Sequence, residues 1–218
     1  MTNEKEKKLS DLRLNVGYEV SEKRYRHILG VEECAVRIAA LYSDILSEED
    51  VYLLRAAALL HDVTKDKGDE WQRNFISENK IILPKGDEEA TQLWHSFTAP
   101  TYVSLRYPEF SCRTVLDAVY RHATGDVQMT LTDKIICLAD YIENGRKYDA
   151  CIDVRRRFFF DGVEKMSIGE RIKHLDRCLL LSFKYISEHL SANGEKISNK
   201  TQRAMDALIS EINSTEEL

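Results

Sequence analysis

The apolar run Ala56-Ala57-Ala58-Leu59-Leu60 leaves a helix no polar side, so the segment Glu48 to His61 that contains it reads as a central helix enclosed by others. Ser47, with Asp50 three residues on, marks its start as a capping box in which Asp replaces Glu. Its far end carries the adjacent pair His61-Asp62. Neighbours on a helix point about 100° apart, so both can serve one centre only where the helix end turns them together.

The rest of the chain supplies the enclosure. It has only three prolines and nine glycines in 218 residues and few alternating runs, which favours an all-helical fold. The pattern predicts helices over Glu4 to Val20, from Ser21 as N-cap through His27, around Trp71 to Asn79, over Glu88 to Arg106 with a bend at Pro100, and over Cys112 to His122 capped by Ser111. Further helices are expected from Asp133 to Tyr148 behind Thr132, from Asp153 to Phe160, from Ile168 to Leu190 and from Lys200 to Asn213, with Asn193-Gly194 as a turn. Arg155, Arg156 and Arg157 read as solvated, and Phe158, Phe159 and Phe160 as packed.

From His27 the positions Val31, Cys34, Ala35, Ile38, Leu41 and Tyr42 repeat at three-four spacing, which turns His27 inward. His95, His122 and Asp140 lie at the edge or on the apolar face of their own helices. A single such histidine is ordinarily a hydrogen-bonded core residue. Asp140, between Leu138-Ala139 and Tyr141-Ile142, is a sharper signal, because a carboxylate buried without a cation or strong donors costs several kcal/mol. The ordered set of His27, His61, Asp62, His95, His122 and Asp140 suits a bundle that holds two metal ions. His174 and His189 fall on charged C-terminal helices and read as surface residues.

Composition excludes several classes. A net charge of −6 argues against a general nucleic-acid coat while leaving room for a local basic cluster and a small anion. The five cysteines, Cys34, Cys112, Cys137, Cys151 and Cys178, show no close pairing, as expected of buried thiols in a reducing compartment. No stretch approaches the roughly 18 apolar residues of a membrane span, and Met1 to Asp11 lacks the apolar core of a secretion signal. The expected location is cytoplasmic.

Four segments carry a resemblance: Arg24 to Val31, Ala57 to Lys65, His122 to Gly125 and Met129 to Glu143. They resemble the HD-domain superfamily and, within it, most closely the YqeK family of symmetrical diadenosine tetraphosphate hydrolases, over roughly Arg24 to Arg146. The resemblance implies an all-α HD-domain helical bundle forming a single domain over 1–218. Its metal-site core spans about 21–148 and a C-terminal helical extension 149–218. It also implies two metal ions, usually iron in that family, although mixed imidazole and carboxylate ligation suits manganese or zinc as well. His27, His61, Asp62 and Asp140 would hold one ion, and a bridging Asp62 with His95 and His122 the second.

The implied reaction is attack on a phosphoanhydride by a water activated between two cations, splitting diadenosine tetraphosphate into two ADP. Asp62 and Lys65 are the catalytic candidates, and Arg24, Lys65, Thr124 and Arg146 the substrate contacts. The alternatives are hydrolysis of a nucleoside triphosphate or guanosine alarmone, and a metal-bound regulatory domain without turnover. The expected partner is thus a small dinucleoside polyphosphate, not a nucleic-acid polymer or a membrane, and a homodimer is compatible with the sequence. The chain departs from the family where His95-Ser96-Phe97-Thr98-Ala99-Pro100 replaces a glycine-rich stretch, which suggests a reshaped substrate wall. Ala123-Thr124 stands for a threonine pair, Tyr120 for an arginine and Asn144 for a proline.

Overall fold

A computed structural model describes residues 2–195 and 197–214. Among them are ten α-helices and no strand: α1 (Asn3–Glu19), α2 (Glu22–Ala40), α3 (Glu48–Leu60), α4 (Gly68–Glu78), α5 (Trp94–Arg106), α6 (Arg113–Arg121), α7 (Leu131–Ile142), α8 (Asp149–Phe160), α9 (Ile168–Ala192) and α10 (Asn199–Ser214). The all-helical expectation holds. No described helix is long and apolar enough to cross a membrane.

The helix α3 is central, as its composition requires. It packs on α1, α2, α6 and α7, and every side chain from Ala56 to Leu60 is fully buried. Three alanines in that turn let the surrounding helices come close, while Leu54, Leu59 and Leu60 fill the space between them. Truncating Leu59 to alanine would cost about 2–5 kcal/mol through lost burial and the cavity left behind. The Ser47–Asp50 capping box is formed, and Ser21 caps α2.

The helix α7 is the second pillar, in contact with α2, α3, α6, α8 and α9. Its buried Lys134 ties it to the C-terminal helices, with Nζ 2.8 Å from Asp176 on α9 and 2.7 Å from Glu211 on α10. The five cysteines are free thiols, four of them buried.

Several boundaries differ from the sequence expectation, each for a local reason. The helix carrying His95 begins at Trp94, not Glu88. The Glu88 carboxylate accepts the Gly86 N–H at 2.6 Å, and its carbonyl accepts the Trp94 indole N–H at 3.1 Å, so 86–90 is spent on turns. α5 runs through Pro100 without interruption. Ser111 does not cap α6. Its hydroxyl donates to Ser104 at 2.9 Å, and Cys112 occupies the N-cap.

The cap of α7 is Thr130, in a capping box with Asp133, and not Thr132. That helix stops at Ile142, because Glu143 turns to an extended conformation with ψ 154°. Arg155 is not solvated. Its guanidinium donates to the carbonyls of Ile142 at 2.5 Å, Arg146 at 2.9 Å and Glu143, closing the C-terminus of α7. Arg156 and Arg157 are exposed, and of the three phenylalanines Phe158 and Phe159 pack while Phe160 is exposed. His174 is half-buried, its ring stacked on Phe158, whereas His189 is exposed.

Candidate metal centre

The six candidate ligands converge. His61 is the C-cap residue of α3 and Asp62 follows it, so the helix end turns the pair toward one point. The Asp62 carboxylate stands between two pairs of imidazoles. Its Oδ2 lies 3.7 Å from His27 Nε2 and 3.5 Å from His61 Nε2. Its Oδ1 lies 3.3 Å from His95 Nε2 and 3.4 Å from His122 Nε2. Asp140 closes the first side, with Oδ1 2.9 Å from His27 Nε2 and 3.9 Å from His61 Nε2. Ligand atoms gather within 4.8 Å of one another in two groups, His27 with His61 and Asp140, and His61 with Asp62 and His122. His61 thus belongs to both, and His95 borders the second, its Nε2 3.2 Å from that of His122.

The local chain path sets the ring orientations. His61 and His122 each cap a helix C-terminus, where the last carbonyls lack helical partners. Each Nδ1 donates to the carbonyl three residues back, Ala58 and Val119, at 2.7 Å. That bond fixes the tautomer and points an Nε2 lone pair inward. Burial pushes the His61 imidazole down to about 4, against the pull of Asp62, so the ring is neutral and able to ligate. Its Nε2 is buried without a hydrogen-bond partner. An unsatisfied buried lone pair among carboxylates is what a metal ligand looks like before the metal arrives.

Electrostatics favour the charged carboxylates. Burial opposes ionisation of Asp62, but His61, His122 and His95 hold its carboxyl well below the usual range. Burial also opposes ionisation of Asp140, and Arg146 with His27 holds it low. Two arginines face these oxygens from the outside. Arg24 donates to Asp62 Oδ2 at 2.5 Å and to Asp66 at 3.3 Å, and Arg146 donates to Asp140 Oδ1 at 2.7 Å and to its carbonyl at 3.0 Å. Both line an open cleft of about 760 Å³ that reaches His27 and is edged by Lys23, Arg26, Lys147 and Tyr148.

The other two expected substrate contacts are placed differently. Lys65 lies deeper, its ammonium 2.9 Å from His95 Nδ1 and donating to the Gln92 carbonyl at 2.8 Å. Thr124 is fully buried and its hydroxyl donates to the Gly125 carbonyl at 3.1 Å, so it offers nothing to a ligand in the cleft. The stretch Ser96 to Ala99 is interior, not a substrate wall. Thr98 donates to Gln72 at 2.6 Å, Gln72 to the Thr64 carbonyl at 2.6 Å, and Thr64 to the His95 carbonyl at 3.0 Å. This buried network locks α4 and α5 to the segment after Asp62.

A sequence model described as HD domain matches residues 24–145, more than half of the chain. The chain belongs to the HD-domain family. HD domains bind divalent metals, and the donor set here fits such ions. Among curated relatives, a Staphylococcus aureus protein named symmetrical bis(5'-nucleosyl)-tetraphosphatase is 32% identical over 176 residues, covering 78% of this chain and 81% of that one. A Bacillus subtilis protein of the same name is 29% identical over 141 residues, covering 65% and 72%. A crystal structure titled as a predicted HD superfamily hydrolase involved in NAD metabolism, from Clostridium acetobutylicum, shares 29% identity. It superposes with a TM-score of 0.74 over 94% of this chain and 96% of that one.

Sequence reasoning missed two residues of this HD centre. Glu143 is buried and reaches His27 Nδ1 at 3.2 Å. Arg155 staples the turn that carries both Glu143 and Arg146. Glu143 directly follows the apolar face of α7, which was a usable signal; for Arg155 the neighbouring exposed arginines hid it.

Proposed function

We propose that this HD-domain protein is a metal-dependent phosphohydrolase that splits diadenosine tetraphosphate symmetrically into two ADP. The observation that carries the reading is the two-sided ligand cluster around Asp62, flanked by the Arg24 and Arg146 guanidiniums at the mouth of a basic cleft. The relatives that bear the symmetrical tetraphosphatase name support the substrate. His27, His61, Asp62 and Asp140 would hold one ion, and Asp62, His95 and His122 the other, with iron as the proposed metal. Such ions, when bound, supply Lewis acidity toward phosphoryl oxygens and make water a competent nucleophile near neutral pH.

The chain's own groups do the rest. Arg24 and Arg146 already bond carboxylates, so a polyphosphate entering the cleft competes for donors oriented by Asp62 and Asp140. Lys65, whose burial pushes its ammonium below the usual lysine range, is a compact donor next to His95 and can turn to a phosphate oxygen. Buried walls on α3 and α7 exclude bulk water behind the cluster, which strengthens each charge contact inside. In this reading one nucleoside diphosphate end would sit on the arginines with its second phosphorus toward the cluster.

The test is product identity. Anaerobically prepared, iron-loaded protein is incubated with diadenosine tetraphosphate in heavy-oxygen water. ADP as sole product, labelled once on a terminal phosphate, is the expected result; AMP plus ATP, or no turnover with this compound but turnover with another nucleotide, would overturn it.

A further inference from the structure

Of the four histidines, His27 alone sits in the middle of a helix, on the second turn of α2. There the His27 Nδ1 is not bonded to the carbonyl three residues back, as those of His61 and His122 are. Its Nδ1 bonds to another part of the chain. The partner is Glu143, distant by 116 residues, with Oε1 3.2 Å from Nδ1. The Glu143 side chain is 4% exposed. Its other oxygen accepts the Gly145 N–H.

The seat of that carboxylate is built by two glycines. A Cβ on Gly30 would stand 2.6 Å from Glu143 Oε2, and one on Gly145 2.8 Å from the same atom. Neither glycine has a positive φ. Their backbone conformations are open to any residue, so what a side chain there would disturb is the carboxylate, which would have to move off its present seat. The elements converge: α2 offers the ring and the gap, the turn after α7 offers the carboxylate, and Arg155 from α8 holds that turn by its carbonyls.

We propose that Glu143 is a positioning residue that accepts the Nδ1–H of His27 and locks the ring with Nε2 facing Asp140 and Asp62. The proposal rests on the reading of His27 as a metal ligand. A hydrogen bond from a ligating imidazole to a carboxylate fixes both tautomer and ring plane, and losing such a partner typically weakens metal affinity by about 10–100-fold. Glu143 borders the cleft as well, and in this role it does not itself ligate the ion. Its effect is exerted wholly through the ring.

The experiment titrates Zn²⁺ or Mn²⁺ alone into metal-free full-length protein by calorimetry and follows metal-free thermal stability alongside. Glu143→Ala is expected to weaken the His27-side ion by about 10–100-fold, Glu143→Gln to fall between that variant and the unaltered protein because its single amide oxygen can accept the His27 or the Gly145 hydrogen but not both, and Gly30→Ala to reproduce the loss while leaving all charges in place. Unchanged affinity in Glu143→Ala, with only a lower melting temperature, would reduce Glu143 to a turn residue and overturn the proposal. Should Glu143→Ala fail to fold, nitrogen-15 spectra of the unaltered Zn²⁺-loaded protein decide the matter: a proton on His27 Nδ1 is expected, and a proton on Nε2 would overturn it. His27→Ala separates the two levels. If it leaves affinity intact, the ligand reading itself fails; if it abolishes affinity while Glu143→Ala does not, only the positioning role fails.

Discussion

The centre contains two kinds of histidine. His61 and His122 end helices and orient themselves with a carbonyl three residues away, whereas His27 and His95 lie within helices and borrow distant partners, Glu143 and Lys65. The difference teaches that half of the cluster is preset by local chain geometry and half by tertiary contact. In charge His27 stands apart, since burial pushes the His95 imidazole down as it does that of His61. Burial leaves His61 near 4 and neutral, while His27, though burial opposes it, is raised to about 9 by the Asp140 and Glu143 carboxylates.

The hardest blow to both kinds at once is Asp62→Ala, since Asp62 alone lies within 3.7 Å of all four rings. Both ions should be lost, and with them several kcal/mol of transition-state stabilisation, or on the order of 10³-fold or more in turnover. Metal analysis of the purified variant checks this, and full occupancy would break the idea that Asp62 joins the two sides.

Lys65→Met strikes only the borrowed partner of His95. A charge-assisted contact is worth roughly 1.5–3 kcal/mol, so turnover should fall about ten- to a hundredfold with the His27-side ion retained. Steady-state kinetics with metal analysis reads both, and an unchanged kcat and KM would show that Lys65 serves neither phosphate nor His95.

Arg155→Met removes the staple behind the borrowed partner of His27. Three carbonyl bonds go, and the unfolding free energy from urea titration should fall by about 2–3 kcal/mol, with metal affinity falling on the His27 side only. Equal weakening on both sides would mean that the turn after α7 supports the whole cluster, and the comparison would lose its point.

The subtlest expectation is a pH signature of the metal-free protein. His27 has a folded pKa above its unfolded one, so its contribution to stability is full below about 6.5 and is lost as pH rises through about 9. His61 has the opposite sign: its contribution is present above about 6.5 and is lost as pH falls through about 4. Urea midpoints across pH 4–10 for His27→Gln and His61→Gln should each flatten one limb and leave the other. Flattening of the same limb by both variants would contradict the opposite signs of His27 and His61.

Much of this was legible beforehand. The all-apolar turn of α3 announced a central helix, because no orientation exposes it without cost, and the capping box at Ser47 and the six candidate side chains that cluster around Asp62 were readable from residue type and order. Thr130 was hidden by Thr132, because two threonines so close offer equal caps and only the buried Asp133 decides between them. Thr124 and the Ser96 to Ala99 stretch were misjudged as substrate-facing, since a motif position says which residue is near the metals but not which side of the backbone faces solvent.

By itself, the sequence determined what acts through neighbours: the helices, their caps, the inward faces, and the His61 and His122 rings, whose orienting carbonyls lie one turn away on the same chain. The tertiary structure alone decided the rest. Glu143 meets His27 across 116 residues, Arg155 closes a helix it does not belong to, and Gly30 leaves room for a carboxylate from the turn after α7. Such contacts leave no periodic trace, because they depend on where packed helices end relative to one another, and that is set by the sum of all side-chain volumes in the core, not by any local pattern.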